Sequence, residues 1–285
     1  MEHTKHCIIT GASSGLGKET ARKLALEGWE LTLLCRNREK SEKAISYIQK
    51  RTKAHVNLVI VDLSLMSSVR EAVMSVRGMG KKIDVLINNA GSMTQGKKRS
   101  EEGWEYSNAI NYLAPFMLTN MLLPMYASDA RIINVNSEGH EYQELKIDKM
   151  NDLSGNKAYS HSKLCNALFT IELAKRGITA VCADPGGIRT NFGGNLSKAA
   201  LGAMMLAKPF LKSPKEAAKI THFLASCPPE KIKNGGYYNS LHPTRFRIYA
   251  KEMDQSPQLW NHTLSLLEEY MREDQSSPIP KNEEV

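Results

Sequence analysis

Cys7-Ile8-Ile9-Thr10-Gly11-Ala12-Ser13-Ser14-Gly15-Leu16-Gly17 is the stretch on which the fold turns. An apolar strand runs straight into a glycine-rich turn, and Leu16 to Glu27 then carries helical periodicity. The spacing is G-x-x-x-G-x-G and departs from the G-x-G-x-x-G dinucleotide fingerprint, but the physical logic is similar. A strand ends, the backbone turns sharply, and missing Cβ atoms let a pyrophosphate approach the N-terminus of the next helix. Ser13 and Ser14 add hydroxyl donors, and Leu16 opens the helix. An ordinary βα turn carries the same glycines, so the strand before and the helix after are what give the motif its weight.

Outward from this turn, short apolar strands alternate with helices. Leu31 to Leu34, Val56 to Val61, Val85 to Ile87, Arg131 to Val135 and Thr179 to Ala183 read as further strands. Helical stretches fill Arg38 to Arg51 and Met66 to Arg77. Near-continuous apolar strands separated by helices predict a parallel sheet covered on both faces, with right-handed crossovers. The expectation is an α/β fold, a single doubly wound Rossmann-like domain whose parallel sheet has about seven strands. One domain spans residues 1–275, and the tail 276–285, lacking apolar periodicity, is expected to be disordered.

Composition narrows the class. Hydrophobic residues at 41% and charged residues at 24% belong to a globular chain of 285 residues. The net charge of +8 is spread over many helices, clustering only at Lys50-Arg51-Thr52-Lys53 and Lys97-Lys98-Arg99. Without a basic block or interleaved aromatics, it fits a solvated surface that attracts anionic cofactors better than a nucleic-acid partner. Five cysteines, Cys7, Cys35, Cys165, Cys182 and Cys227, form an odd set with no CxxC. Buried free thiols in a reducing, cytoplasmic setting are expected, with no metal site. The N-terminus leads directly into a strand with no signal peptide, and no run of about 18 apolar residues spans a membrane. The sequons at Asn195 and Asn261 are read as chance.

The end of the second strand selects the dinucleotide. A carboxylate there would bind the adenosine ribose diol and repel a 2′-phosphate. The chain has Cys35-Arg36-Asn37-Arg38 instead, and the Arg36 guanidinium offers a planar fork suited to a phosphate monoester. NADP(H) is therefore expected over NAD(H). Asp62, followed by Leu63, closes the third strand, where it either accepts from an adenine amino group or caps the next helix. Asn89, Ala90 and Gly91 follow the fourth strand and let the backbone pass close to the adenosine side.

Hydride exchange between a carbonyl and an alcohol needs a proton donor beside the oxygen. Tyr159-Ser160-His161-Ser162-Lys163 puts a phenol and an ammonium one helical turn apart, where the cation favours the phenolate. Ser137, ending the fifth strand, is placed to hydrogen-bond the same substrate oxygen. Asn111, on the intervening helix, is placed to hold a water that links Lys163 to solvent.

Gly11 to Gly17, Asn88-Asn89-Ala90-Gly91, Asn111, Ser137, Tyr159 to Lys163 and Asp184-Pro185-Gly186 together resemble the short-chain dehydrogenase/reductase family over about residues 5–240. Gly17-Lys18-Glu19-Thr20-Ala21 and the Cys35-Arg36-Asn37 corner resemble its retinol dehydrogenase-like, mostly NADP(H)-linked branch. The resemblance implies that Tyr159 is the acid/base, that Lys163 lowers its pKa and binds the nicotinamide ribose, and that Ser137 polarises the carbonyl. Asn111 would support a proton relay, and Pro185, Gly186, Ile188 and Thr190 would border the nicotinamide. Asn136 stands where many relatives have serine, outside the catalytic set.

Beyond Thr190, residues 195–211 form an apolar helix-like run with Met204 and Met205, and the resemblance implies a substrate lid near 192–212. An apolar lid implies an apolar carbonyl or alcohol substrate; core packing and a shallow membrane-surface helix fit the same residues. Gln258 to Met271 has helical periodicity and is expected to pack near the same opening. Family members often pair through the helix carrying Tyr159, so a homo-oligomer is compatible with the sequence unless this C-terminal helix blocks it. The leading functional reading is an NADP-dependent carbonyl reductase or alcohol dehydrogenase. The alternatives are a retinoid-, steroid- or porphyrin-pathway oxidoreductase, or a non-catalytic NADPH-binding regulator.

Overall fold

A computed structural model describes residues 4–188, 211–248 and 250–272. Among them one sheet of eight strands runs in the order β3-β2-β1-β4-β5-β6-β7-β8. The strands are β1 (His6–Thr10), β2 (Glu30–Cys35), β3 (Val56–Ile60), β4 (Ile83–Asn88), β5 (Tyr126–Val135), β6 (Ala180–Ala183), β7 (Tyr237–Tyr238) and β8 (Pro243–Thr244). The first seven are parallel. β8 pairs antiparallel with β7 and is the strand missed in the expected seven, because two residues are too short to show a period.

The helices are α1 (Gly15–Leu26), α2 (Arg38–Gln49), α3 (Met66–Gly78), α4 (Tyr106–Asn108), α5 (Ala114–Met121), α6 (Gly155–Lys175), α7 (Pro214–Ser226), α8 (Ala250–Asp254) and α9 (Ser256–Met271). A π turn, Ala109–Leu113, joins α4 to α5. Strand side chains alternate between two cores. Ile8, Leu34, Leu86 and Ile132 pack with α3, α5, α6 and α9. Cys7, Ile9, Leu31, Leu33, Ile87 and Ile133 pack with α1 and α7. Both faces are dry, and each buried aliphatic side chain contributes about 1.5–3 kcal/mol, which is why the strands read as apolar runs.

The chain winds outward from β1 through β2 to β3, then restarts at β4 on the other side of β1. In open α/β sheets a ligand crevice is expected where the order reverses, here at the carboxyl ends of β1 and β4. The two ends are stitched together there. Thr10 Oγ1 accepts from the backbone N–H groups of Asn89 and Ala90, at 2.9 Å each, and Asn89 Nδ2 donates to the Thr10 carbonyl at 2.7 Å.

The C-terminal helix α9 packs on α3, α5 and α6, and its last turn brings Tyr270 to Glu102 and Trp104, beside the start of α3. Trp260 fixes it there, with ring centroids 4.9 Å from Phe116 and 5.8 Å from Phe169, and Tyr112 Oη meets Thr263 Oγ1 at 2.6 Å. Of the expected lid near 192–212, residues 192–210 lie outside the described residues, as do Thr190 and the expected tail 276–285.

Candidate active site

The cradle after β1 is built by two tight approaches. Gly11 has φ +69°, and a Cβ on it would come within 2.9 Å of the Ala90 Cα. A Cβ on Gly17 would come within 2.5 Å of Asn89 Nδ2 and 2.9 Å of the Gly11 carbonyl. Either would push the turn off β4. Gly15 also has positive φ, +57°, at the start of α1. Ser14 sits at the N-cap of α1 and makes no side-chain capping bond, and the first turn holds no acid. The positive end of α1 thus faces the crevice without a carboxylate, which suits an anion. These residues fit a dinucleotide pyrophosphate.

The rim of the crevice carries the other expected cofactor residues. Arg36 follows β2 with its side chain 65% exposed; Nη1 donates to the Tyr106 hydroxyl at 2.7 Å and lies 3.8 Å from Asp62 Oδ2. That hydroxyl and the Asp62 carboxylate hold the guanidinium above its ordinary pKa. Asp62 does not cap α3. Its Oδ1 accepts from the backbone and hydroxyl of Ser64, while Glu102, distant in sequence, accepts from the N–H groups of Met66 and Ser67 at the helix start. Leu63 is buried beneath. Gly91 continues the turn after Ala90.

The chemical groups converge at the carboxyl end of β5. Ser137 follows that strand, and its Oγ accepts from the Gly139 N–H at 3.2 Å and is hydrogen-bonded to Tyr159. Burial raises the Tyr159 phenol; the Ser137 contact acts the other way, and the Asp184 carboxylate raises it further. A Cβ on Gly139 would stand 3.2 Å from Tyr159 Cε1, so glycine there leaves the phenol room. Lys163, one turn along α6, has Nζ 5.8 Å from the Tyr159 ring centroid and donates to the Val135 carbonyl at 2.9 Å. Burial pulls its pKa down to about 8, opposed by Cys182 and Asp184. Burial dominates the shift of the phenol, and Ser137 is the group that opposes it.

Asn111 lies on the π turn. Its side chain brackets Ser92, accepting from the backbone N–H at 2.8 Å and donating to the carbonyl at 2.9 Å, and also donates to Ser162 Oγ. Ser162 Oγ in turn donates to the Tyr159 carbonyl at 2.6 Å. The structure thus ties Asn111 to the helix carrying Tyr159 through Ser162 rather than through Lys163. Asn136, beside Ser137, donates to the Lys163 carbonyl at 3.2 Å and holds the strand end to α6.

Three residues carry no role in the sequence reading, although Asp184 stands in one of its motifs. Asp184, after β6, is 3% exposed; Oδ1 accepts from Gly186 N–H at 2.8 Å and Oδ2 accepts from the Tyr237 hydroxyl. His140 Nδ1 lies 2.8 Å from the Ser137 carbonyl, and its ring rests on Tyr237 with centroids 5.0 Å apart. The only sequence signal was an aspartate directly before Pro185-Gly186. Ile188 bridges in parallel to Lys212, closing the described part of the next loop.

The short-chain dehydrogenase family model matches residues 5–200. The chain belongs to that family. Bovine retinol dehydrogenase 12 is 35% identical over 92% of this chain and 86% of its own length. A crystal structure of an uncharacterised protein from Mycobacterium paratuberculosis is 29% identical, covers 93% of each chain and superposes with a TM-score of 0.74. A blue fluorescent protein from a metagenomic library, solved in complex with NADPH, shares the fold at TM-score 0.66 and 24% identity, over 82% of this chain and 94% of that one. The chain is thus a retinol dehydrogenase-like oxidoreductase of the short-chain family with a nicotinamide-binding fold. Among the described residues, no helix is long and apolar enough to cross a membrane.

Proposed function

We propose that the protein is an NADP(H)-dependent oxidoreductase that interconverts a carbonyl and an alcohol on an apolar small molecule, with Tyr159 as the acid/base. The carrying observation is the meeting of Ser137 and Tyr159 at the end of β5, with only β4 between it and the strand that carries the glycine cradle, and with Lys163 a turn further along α6. When bound, NADP(H) supplies or accepts the hydride. Gly11, Ser13, Ser14, Gly15, Leu16 and Gly17 would hold its pyrophosphate, and Asp62, Leu63, Asn89, Ala90 and Gly91 its adenosine side. Pro185, Gly186, Ile188 and Thr190 would border the nicotinamide. Arg36 would take the 2′-phosphate, and the absence of a carboxylate at the end of β2 supports that choice.

In the reducing direction Tyr159 donates its proton to the substrate oxygen. A phenol held neutral by burial is the form that donates. Ser137 Oγ donates to the same oxygen and holds it against the phenol. Lys163, anchored on the Val135 carbonyl, would give its other donors to the nicotinamide ribose. Asn111 would position α6 and the proton path behind Lys163. Five buried free thiols support a reducing, cytoplasmic location.

The likeness to bovine retinol dehydrogenase 12 favours a retinoid-like substrate within this class. A panel of apolar aldehydes, ketones and alcohols, retinoids included, tests the reading with NADPH and NADH consumption followed by absorbance. Turnover of an apolar carbonyl with NADPH is the expected outcome. No turnover on the whole panel, with NADPH tightly bound, would turn the assignment to a binding protein.

A further inference from the structure

The loop after β4 returns to the ends of β2 and β3. Its residues 98–106 fold back on themselves as a small hairpin. Arg99 bridges antiparallel to Glu105, the Ser100 N–H donates to the Trp104 carbonyl at 2.8 Å, and the Tyr106 N–H donates to the Lys98 carbonyl at 3.0 Å. Two acids fasten it. Glu105 is 1% exposed, and its Oε2 accepts from the Asn108 N–H at 2.7 Å. Glu102 accepts from the N–H groups of Met66 and Ser67 at the start of α3. The hairpin therefore brings Lys98 and Tyr106 to a fixed place beside Arg36, 70 residues from Tyr106 in sequence.

The contacts there converge on one phenol. The Tyr106 ring is half-buried against the core, and its hydroxyl accepts from Arg36 Nη1 at 2.7 Å. Lys98 Nζ stands over the same ring, 3.8 Å from its centroid, a cation–π contact that orders an otherwise exposed side chain. Asp62 Oδ2 lies 3.8 Å from the guanidinium and steadies it from the end of β3. A guanidinium carries five donors, and the bond to Tyr106 uses Nη1. The edge formed by Nε and Nη2 is the fork that matches two oxygens of a phosphate monoester. Two cations gathered on one ring at the surface repel each other, and a dianion shared between them turns that repulsion into attraction.

We propose that Tyr106 and Lys98 complete the subsite for the adenosine 2′-phosphate: Tyr106 is a positioning residue that aims the Arg36 fork, and Lys98 is a second cation on the same phosphate. The proposal rests on the reading of Arg36 as the 2′-phosphate ligand, and it adds to that site a wall supplied by the loop after β4.

Calorimetric titration of the full chain tests it, with four ligands: NADPH, NADH, adenosine 2′,5′-bisphosphate and adenosine 5′-monophosphate. Within each pair, the 2′-phosphate is what separates the binding sites' demands. Lys98→Gln should weaken both 2′-phosphorylated ligands at least about tenfold, the scale of one charge-assisted hydrogen bond. Tyr106→Phe keeps the ring under Lys98 and removes the acceptor that aims Arg36; it should weaken the same two ligands about fivefold, the scale of one neutral hydrogen bond. NADH and adenosine 5′-monophosphate should bind both variants as they bind wild type. NADPH bound at wild-type affinity by either folded variant would overturn the proposal. Equal losses for NADPH and NADH would overturn it too, because the hairpin would then be a structural strut. Lys98 is exposed, so Lys98→Gln decides the matter if Tyr106→Phe does not fold. Arg36→Ala isolates the parent reading. If it costs NADPH no more than NADH, that reading fails; if it costs NADPH selectively while the other two variants bind normally, only the present proposal falls.

Discussion

At the scale of single residues, the site divides into groups that sequence spacing can reveal and groups that only packing brings in. Tyr159 and Lys163 are one helical turn apart, so their alignment was legible before any coordinates. Tyr159→Phe keeps the ring's bulk and loses the proton. Steady-state assays should find kcat at least about 100-fold lower, the usual scale of acid–base catalysis, with NADPH affinity retained. The sign of the phenol's shift was not legible, because burial is a property of the folded molecule. Asp184 was read only as part of a motif for the same reason: its partner Tyr237 lies 53 residues away. Arg36 makes a second residue-scale test. Arg36→Ala should weaken NADPH in calorimetric titration and leave NADH nearly unchanged, since only the 2′-phosphate distinguishes them. Equal losses for both cofactors would move the selectivity elsewhere.

At the scale of elements, strand and helix identities follow from apolar runs and punctuation, while their ends follow from tertiary partners. α3 shows this. Asp62 stood in the right place to cap it, yet Glu102 reaches the helix start from a distant loop. α6 shows the converse, a helix whose middle is held by a loop. His161 is fully buried; Nε2 accepts from the Lys146 N–H at 3.1 Å, and Nδ1 lies 3.5 Å from Asn108 Oδ1 and from Cys165 Sγ. Burial pulls its pKa from 6.5 to about 4, and the Lys146 charge adds to it. The folded state therefore holds the imidazole neutral where the unfolded chain would protonate it. Its contribution is complete above about pH 6.5 and is lost as pH falls toward 4, by about 3 kcal/mol at most. Denaturant melts across that window should show stability falling with pH. His161→Gln, which retains an acceptor for Lys146, should start lower and show a flatter slope. Parallel slopes would place the titration on other groups.

At the scale of the whole molecule, the doubly wound α/β class was legible from alternating strands and helices, while the pairing alone puts the switch point between β1 and β4. What periodicity did not place is α9. Its amphipathic pattern announced a helix, and only the receiving surface on α3, α5 and α6 decides where it lies. That surface matters for assembly, because pairing through α6 needs an uncovered apolar face. α9 supplies that cover from within the chain: Leu259, Trp260 and Leu267 are buried, and the Arg176 guanidinium lies 4.2 Å from the Trp260 ring. The protein is accordingly expected to sediment as a monomer. Trp260→Ala should cost about 3–5 kcal/mol by leaving a cavity among Phe116 and Phe169, and the loosened helix should expose an apolar face that promotes association. Light scattering on both proteins separates the outcomes. A stable dimer of the wild-type chain, cross-linked through α6, would show that α9 leaves that face open to a second copy.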